Sequence, residues 1–392
     1  MREVVILSAV RTPGGKANKG SFYDVRPETF GKLCIQEVLK RSRVYPEEID
    51  DVIWGCAVPE RYTGYNIARG TALHAGLPPL VSAVTVNRFC ASGLQAISFG
   101  AESILSGRCD VVLAGGVEYM SANGGISVPD PDIIVTPETQ DTYMAMGITA
   151  ERVASRYEVT RTEQDMFALA SHQKAAAAIA AGRFAQEIVP VPVTHVKLDK
   201  RGHRVYQENI VSVDEGVRGG TTLEQLAKLK PAFQKNGTVT AGNSSQRTDG
   251  AAAVLLMERS LAEERGLVPM ARYVGFASAG CQPDEMGVGP VYAVPKVLQS
   301  TGLSLNDIGL IELNEAFASQ SIYCIRELNM NPELVNVNGG AIALGHPMGA
   351  TGAKLTATLL YEMERRKIRY GMVTMCIGGG QGAAAIYECY GA

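Results

Sequence analysis

Apolar positions along this chain repeat with two different periods. Residues 4–10 (VVILSAV) are a continuous apolar run, the pattern of a strand buried on both faces. Residues 28–41 carry apolar positions at helical spacing. Residues 50–56 (DDVIWGC) and the β-branched 81–87 (VSAVTVN) read as strands, 92–107 as a helix and 110–116 (DVVLAGG) as a strand. Strands alternating with helices predict βαβ units around a parallel sheet. Residues 121–247 break this rhythm: a Gly/Pro/Asp-rich loop (123–132), a charged helical stretch (145–183), a polar β-like segment (188–213) and a helix near 221–229. They predict an insertion outside the main sheet. From 251 the alternation resumes, with strand-to-loop transitions at 273–280, 308–314, 334–340 and 370–380.

Two stretches share an order of parts. In the first, a strand leads to Cys56, a strand-loop-helix carries Cys90, and a strand ends at Gly115-Gly116. In the second, the same order leads to Asn314, then His346, then Cys376. The pattern predicts an α/β fold of two similar halves that lend strand-end loops to one site, where open α/β sheets bind ligands. The chain divides accordingly into an N-terminal half (1–120), an inserted loop domain (121–247), a return to the first half (248–270) and a C-terminal half (271–392).

Composition narrows the function classes. The 392 residues carry a net charge of −3 with both signs mixed, so neither a nucleic-acid footprint nor a polybasic membrane patch is expected. The N-terminal apolar run stops at Arg11-Thr12-Pro13 and reads as a strand rather than a signal peptide, and no apolar run approaches a membrane span. Eight cysteines are scattered without CxxC pairs, which predicts neither a metal site nor a disulfide framework. The expectation is a reduced, cytoplasmic protein whose cysteines are mostly small buried apolar residues.

Four segments carry chemistry. In NRFCASGLQ (87–95), Cys90 sits between a strand and a helix. A helix N-terminus favours thiolate, so a nucleophile and a buried structural cysteine are equally good readings of the local context. In GGAIALGHPMGATGAK (339–354), His346 lies among glycines on a tight loop, as a ligand-facing ring or as a loop histidine bonded to backbone. CIGGGQGAA (376–384) follows an apolar strand, and glycines there leave N–H groups free for a developing negative charge. Its spacing fits neither GxGxxG nor GxxxxGK[ST], which disfavours a phosphate loop. In NEAFA (314–318), Asn314 alone would be a helix cap.

Taken together, these segments resemble the thiolase family. The resemblance runs through VRTPGGK (10–16), NRFCASGLQ, AGGVEYMS (114–121), KPAF (230–233), TAGNSS (240–245), DGAAAVLLM (249–257), MGVGPV (286–291), NEAFA, GGAIALGHPMGATG and CIGGGQG. It implies the thiolase fold, a layered αβαβα core with an inserted loop domain. It implies transfer of an acyl group between a 3-ketoacyl-CoA and coenzyme A, with no permanently bound cofactor and no metal. Cys90 would hold the acyl group, His346 would accept the Cys90 proton, and Cys376 would be the second acid/base. His346 and a water on Asn314 would hold one oxyanion, and the N–H groups of Cys90 and Gly378 the other. The glycine loops would keep side chains out of the acyl pocket.

Coenzyme A would lie over the insertion. Arg218 would face its phosphates, Phe233 and Met146 the adenine end, Ser245 the pantetheine arm, and Met286 and Phe317 the thioester end. Phe233 and Met146 also read as plain core. Ala145-Met146-Gly147, NSSQRTDG (243–250) and the short link from Ser121 to Tyr143 resemble the degradative 3-ketoacyl-CoA thiolases of fatty-acid breakdown, with Ala145 widening the acyl site. The acetoacetyl-CoA branch is the alternative. A homodimer is expected, with a homotetramer next. Cys376 argues against decarboxylating or hydroxymethylglutaryl-type condensing enzymes, and the presence of Cys90, His346 and Cys376 against a non-catalytic lipid-binding relative.

Overall fold

The computed structural model describes residues 2–123, 136 and 139–390. All of the predicted loop at 123–132 except residue 123 lies outside the described residues. The strands are β1 (Val4–Arg11), β2 (Gly15–Lys16), β3 (Asp51–Gly55), β4 (Ser82–Val86), β5 (Val111–Glu118), β6 (Val191–Leu198), β7 (Arg204–Val211), β8 (Thr248–Glu258), β9 (Ala271–Gly280), β10 (Leu310–Leu313), β11 (Tyr370–Ile377) and β12 (Gln381–Cys389). The helices are α1 (Pro27–Ser42), α2 (Ile67–Ala75), α3 (Ser92–Leu105), α4 (Met120–Asn123), α5 (Met146–Arg156), α6 (Arg161–Ala180), α7 (Leu223–Ala227), α8 (Arg259–Glu264), α9 (Gly289–Thr301), α10 (Ala318–Glu327), α11 (Ala341–Leu344) and α12 (Met348–Arg366).

The main sheet runs β10-β11-β12-β9-β1-β8-β5-β3-β4, and β6 and β7 form a separate hairpin. The two halves match strand for strand. In the first, β1-β8-β5-β3-β4 pair antiparallel, antiparallel, parallel, parallel. In the second, β9-β12-β11-β10 pair antiparallel, antiparallel, parallel, and a single parallel bridge from Ile311 to Val335 stands where β4 stands in the first. The expectation of a parallel sheet is therefore corrected to a mixed one. The reason is that β12 follows β11 after a three-residue turn, which can only make an antiparallel hairpin.

The expected strand transition at 334–340 is likewise reduced to that one bridge. The Asn336 side chain takes both polar backbone groups of Leu313, accepting its N–H and donating to its carbonyl at 2.8 Å each, so a strand residue is not needed there. The helical stretch 145–183 is two helices, not one. Glu158 turns into the left-handed region (φ 53°), and Thr160 with Glu163 forms a capping box that starts α6 afresh.

Five layers result. One outer layer, α1 and α2, packs on the first half through Phe30, Ile35, Val38 and Ala72, and the other, α9 and α10, on the second through Val294, Val297 and Cys324. Between the halves lie α3 and α12, buried nearly all round, with Leu94, Ile97, Leu359 and Met363 in the shared core. Each such side chain contributes roughly 1.5–3 kcal/mol. The two helices approach closely at Gly352, where a Cβ would come within 2.2 Å of the Leu94 nitrogen. Glycine in this segment serves helix packing rather than pocket space, which corrects the expected role of that loop. Both central helices start at the same end of the molecule, and the first turn of each lies beside a candidate catalytic residue.

Candidate active site

Cys90 is held in a strained turn between β4 and α3. The preceding Phe89 has φ 43°, a conformation worth about 1–3 kcal/mol of strain for a bulky side chain. Two side chains staple it. Asn87 Oδ1 accepts the Phe89 N–H at 2.8 Å, and Ser92 Oγ accepts the Arg88 N–H at 2.9 Å while donating to the Phe89 carbonyl at 2.6 Å. Arg88 then reaches Ser278 at 3.1 Å and Gln381 at 3.3 Å, both in the second half.

The Gly378 N–H, from the turn after β11, and the N–H of Cys90 itself lie near enough to the Cys90 sulfur to favour its thiolate. Burial outweighs them and pushes the Cys90 thiol up to about 11, with the Glu118 carboxylate adding to the rise. The expectation that the helix N-terminus lowers this pKa is corrected: a fully desolvated sulfur loses more from burial than it gains there. The resting group is a thiol, and it needs a base.

His346 follows α11. Its N–H donates to the Gln246 carbonyl at 3.1 Å and to Thr248 Oγ1 at 3.0 Å. Nδ1 lies 2.6 Å from Thr351 Oγ1, and that hydroxyl donates to the Pro347 carbonyl at 3.0 Å. A hydroxyl has one proton, so Thr351 accepts from Nδ1–H, and this assignment leaves Nε2 with its lone pair. Nε2 faces Asn314 Nδ2 at 3.4 Å. Burial first, then the Lys354 ammonium, lowers His346 to about 3, so the ring is neutral and able to take a proton.

Cys376, near the end of β11, is fully buried beside Gln320, whose Oε1 lies 3.8 Å from its sulfur. Burial raises its thiol well above the ordinary value, and the neighbouring Cys90 raises it further. It packs in one cluster with Met146, Ala150, Val239, Met286, Ala316 and Phe317. Two polar atoms in this region, Asn314 Oδ1 and Gln320 Nε2, are buried with no partner among the described residues, so the site offers a polar ligand both an acceptor and a donor.

The structure thus sets Gly378 and Cys376 beside Cys90, and Asn314 beside His346, with Met146, Met286 and Phe317 packed in one cluster with Cys376. Met146 corrects the expectation of an adenine contact, since it packs against the reaction centre and its sulfur would meet a Cβ on Gly378 at 3.4 Å. Phe233 is 42% exposed and sets its ring edge-on to Phe317 at 6.0 Å. Ser245 donates its N–H to the Ala316 carbonyl at 2.9 Å. Arg218 lies apart from the sulfurs, exposed, on a segment whose backbone N–H bonds His172 Nδ1 at 3.2 Å.

Sequence reasoning missed Thr351, Gln320 and Glu118. Glu118 ends β5 and accepts N–H groups from Gly349 (2.8 Å), Ala57 (2.9 Å) and Val58 (3.2 Å), tying the first turn of α12 to the end of β3. Its burial raises it to about 7. Thr351 could have been found as the polar residue following His346 on the first turn of its helix. The other two carry no local signal.

A buried thiol with a neutral imidazole, a second thiol and an N–H pair near sulfur define an acyl-transfer site. The comparisons with known proteins agree with this class. Residues 4–260 match the family model "Thiolase, N-terminal domain" and residues 267–389 the model "Thiolase, C-terminal domain". The chain is 53% identical to a 3-ketoacyl-CoA thiolase of Bacillus subtilis (strain 168) over 389 residues, covering 99% of this chain and 100% of that one. Among solved structures it is similar to an acetyl-CoA acetyltransferase of Bacillus anthracis (41% identity, TM-score 0.90, 100% and 99% of the chains covered). It is similar also to human mitochondrial 3-ketoacyl-CoA thiolase in complex with CoA (37% identity, TM-score 0.89, 99% and 98% covered). The chain belongs to the thiolase family and is an acyltransferase.

Proposed function

We propose that this enzyme cleaves 3-ketoacyl-CoA with coenzyme A, releasing acetyl-CoA and an acyl-CoA shortened by two carbons, in fatty-acid β-oxidation. The Cys90 proton passes to Nε2 of His346, and the thiolate adds to the C3 ketone. The resulting alkoxide is held by the N–H groups of Cys90 and Gly378. The C2–C3 bond then breaks, leaving an acyl thioester on Cys90 and an acetyl-CoA enolate, whose oxygen is met by His346 and a water on Asn314. Cys376 protonates the enolate at C2. In the second half, Cys376 takes the proton of the incoming CoA thiol, CoA attacks the acyl-Cys90, and the departing Cys90 thiolate recovers its proton from His346.

The observation that carries this reading is the Gly378 turn near the Cys90 sulfur with Cys376 beside it. One donor pair and two sulfurs serve both half-reactions without rearrangement. CoA lies over the inserted region 121–247, its phosphates toward Arg218, its pantetheine arm along Ser245 and its thioester end against Met286, Phe317 and Met146. Phe233 covers the outer side of the site. The remaining boundaries are 1–120 and 248–270 for the first half and 271–392 for the second.

The chain is read as a homodimer. Support comes from β4, an unpaired sheet edge with Val84 exposed on it and Leu80 beside it 97% exposed, an edge that a second copy could extend. Eight free cysteines support a reducing, cytoplasmic setting. Among the described residues no helix is long and apolar enough to cross a membrane.

A second reading, an acetyl-CoA acetyltransferase acting on acetoacetyl-CoA, is favoured by the similarity to the Bacillus anthracis enzyme. Thiolysis followed by loss of 3-ketoacyl-CoA absorbance, from acetoacetyl-CoA to long chains, separates the two. Strong activity beyond four carbons is the expected result. Activity confined to acetoacetyl-CoA replaces it with the second reading.

A further inference from the structure

Lys354 is a buried cation one turn along α12 from Thr351, on the same face of the helix. Its ammonium donates to the Leu344 carbonyl at 2.9 Å and the Gly345 carbonyl at 2.8 Å, the two carbonyls that precede His346. Adjacent polar residues of one helix therefore grip the same loop from two sides, Thr351 at the imidazole and Lys354 at the backbone leading to it. We infer that Lys354 is a positioning residue for His346, fixing the loop that carries the ring through the Leu344 and Gly345 carbonyls and setting a fixed positive charge behind that loop.

The surroundings give that charge a fixed place. Around Lys354 stand Arg11 from β1, Glu187 after α6, Asp214 after β7 and Glu312 from β10. Asp214 grips Arg11 in two bonds of 2.8 and 2.9 Å, and Glu187 bonds it at 2.5 Å. Two carboxylates thus balance two cations. Glu312 lies among Glu187, Glu315 and Glu362, and burial first, then these like charges, push its carboxyl well above the ordinary value. Burial lowers Lys354 to about 8, so the ammonium is charged over the neutral range. It is the charged group acting on His346. Within this inference His346 has the base role proposed above.

Removing a nearby cation makes the imidazolium easier to form, so the His346 pKa rises and the base is lost at higher pH on the acid side. The test measures kcat/KM for Cys90 acylation against pH in the wild type, Lys354→Met and Lys354→Arg, together with the ring titration of His346 by NMR, assigned with His346→Gln. The expected result is an acid limb and ring titration raised by about one pH unit or more in Lys354→Met, and wild-type behaviour in Lys354→Arg, which keeps the charge. Lys354→Met with an unshifted ring titration overturns the inference. If that variant does not fold, Lys354→Gln carries the same test: a raised ring titration supports the inference and an unshifted one overturns it. Retained acylation in His346→Gln would remove the base role proposed above, whereas the ring titration reads the effect of Lys354 either way.

Discussion

The Thr351 hydroxyl sits 2.6 Å from Nδ1 of His346 and has given its only proton to the Pro347 carbonyl, so it can only accept from the ring. One hydroxyl therefore decides which imidazole nitrogen faces the site. Replacing Thr351 by Val keeps the shape and removes the acceptor. We expect burst acylation of Cys90 to fall roughly tenfold, the worth of one hydrogen bond, with Thr351→Ser close to wild type. An unchanged burst in Thr351→Val would mean that the tautomer is set elsewhere.

In the proposed reaction Cys376 carries the second proton transfer. Cys376→Ala should still form acyl-Cys90 from acetyl-CoA, while deuterium wash-in at the acetyl Cα falls by about 10²–10⁴. Exchange at the wild-type rate would place the second acid/base on another group, with Gln320 the first neighbour to examine.

Glu118 links pH to both stability and sulfur reactivity. Burial lifts its carboxyl from 4.5 to about 7, so between those values the folded protein holds a proton that the unfolded chain has released. Stability from this group is greatest at the acid end of the window and falls as pH rises toward 7. Wild type should therefore lose stability relative to Glu118→Gln across that window and run parallel to it above. The same carboxylate raises Cys90, so iodoacetamide should alkylate Cys90 at lower pH in the variant. Coincident alkylation profiles would rule out this coupling.

Gly380 holds the turn that presents Gly378. It has φ 85°, and a Cβ there would meet the Cys281 carbonyl oxygen at 2.5 Å. This backbone contact cannot swing aside, so Gly380→Ala should lower stability by at least ~1–2 kcal/mol and reduce acylation, because the loop must shift. A variant with wild-type melting and turnover would show the loop to be more adaptable than its geometry implies.

Ala145 caps α5 immediately before Met146, whose side chain packs in the cluster that holds Cys376. We expect Ala145→His to cut kcat/KM on long 3-ketoacyl chains about tenfold or more, while sparing acetoacetyl-CoA. An unaltered chain-length profile would end its assignment as a determinant.

The alternation of apolar runs and helical spacing was enough to locate β1, α1, β3, β4, α3, β5, β9, β10 and β11, because burial on a strand or a helix face acts locally. The order of parts around Cys90 and His346 likewise pointed to the repeated strand order of the two halves. Strand direction was not legible. Whether β8 and β12 run with or against their neighbours depends on where the chain returns, and a run such as AAAVLLM is equally apolar either way. The state of Cys90 was not legible either: its neighbours in sequence promise a helix terminus, but burial decides its pKa, with the Glu118 charge adding to it and the Gly378 backbone opposing it, both distant along the chain. Thr351 lies within a readable motif, whereas Glu118 and Lys354 gain their roles only where the halves meet. Local pattern specifies elements. Electrostatics in a dry interior depends on every group packed around a charge, and only the folded chain assembles those groups.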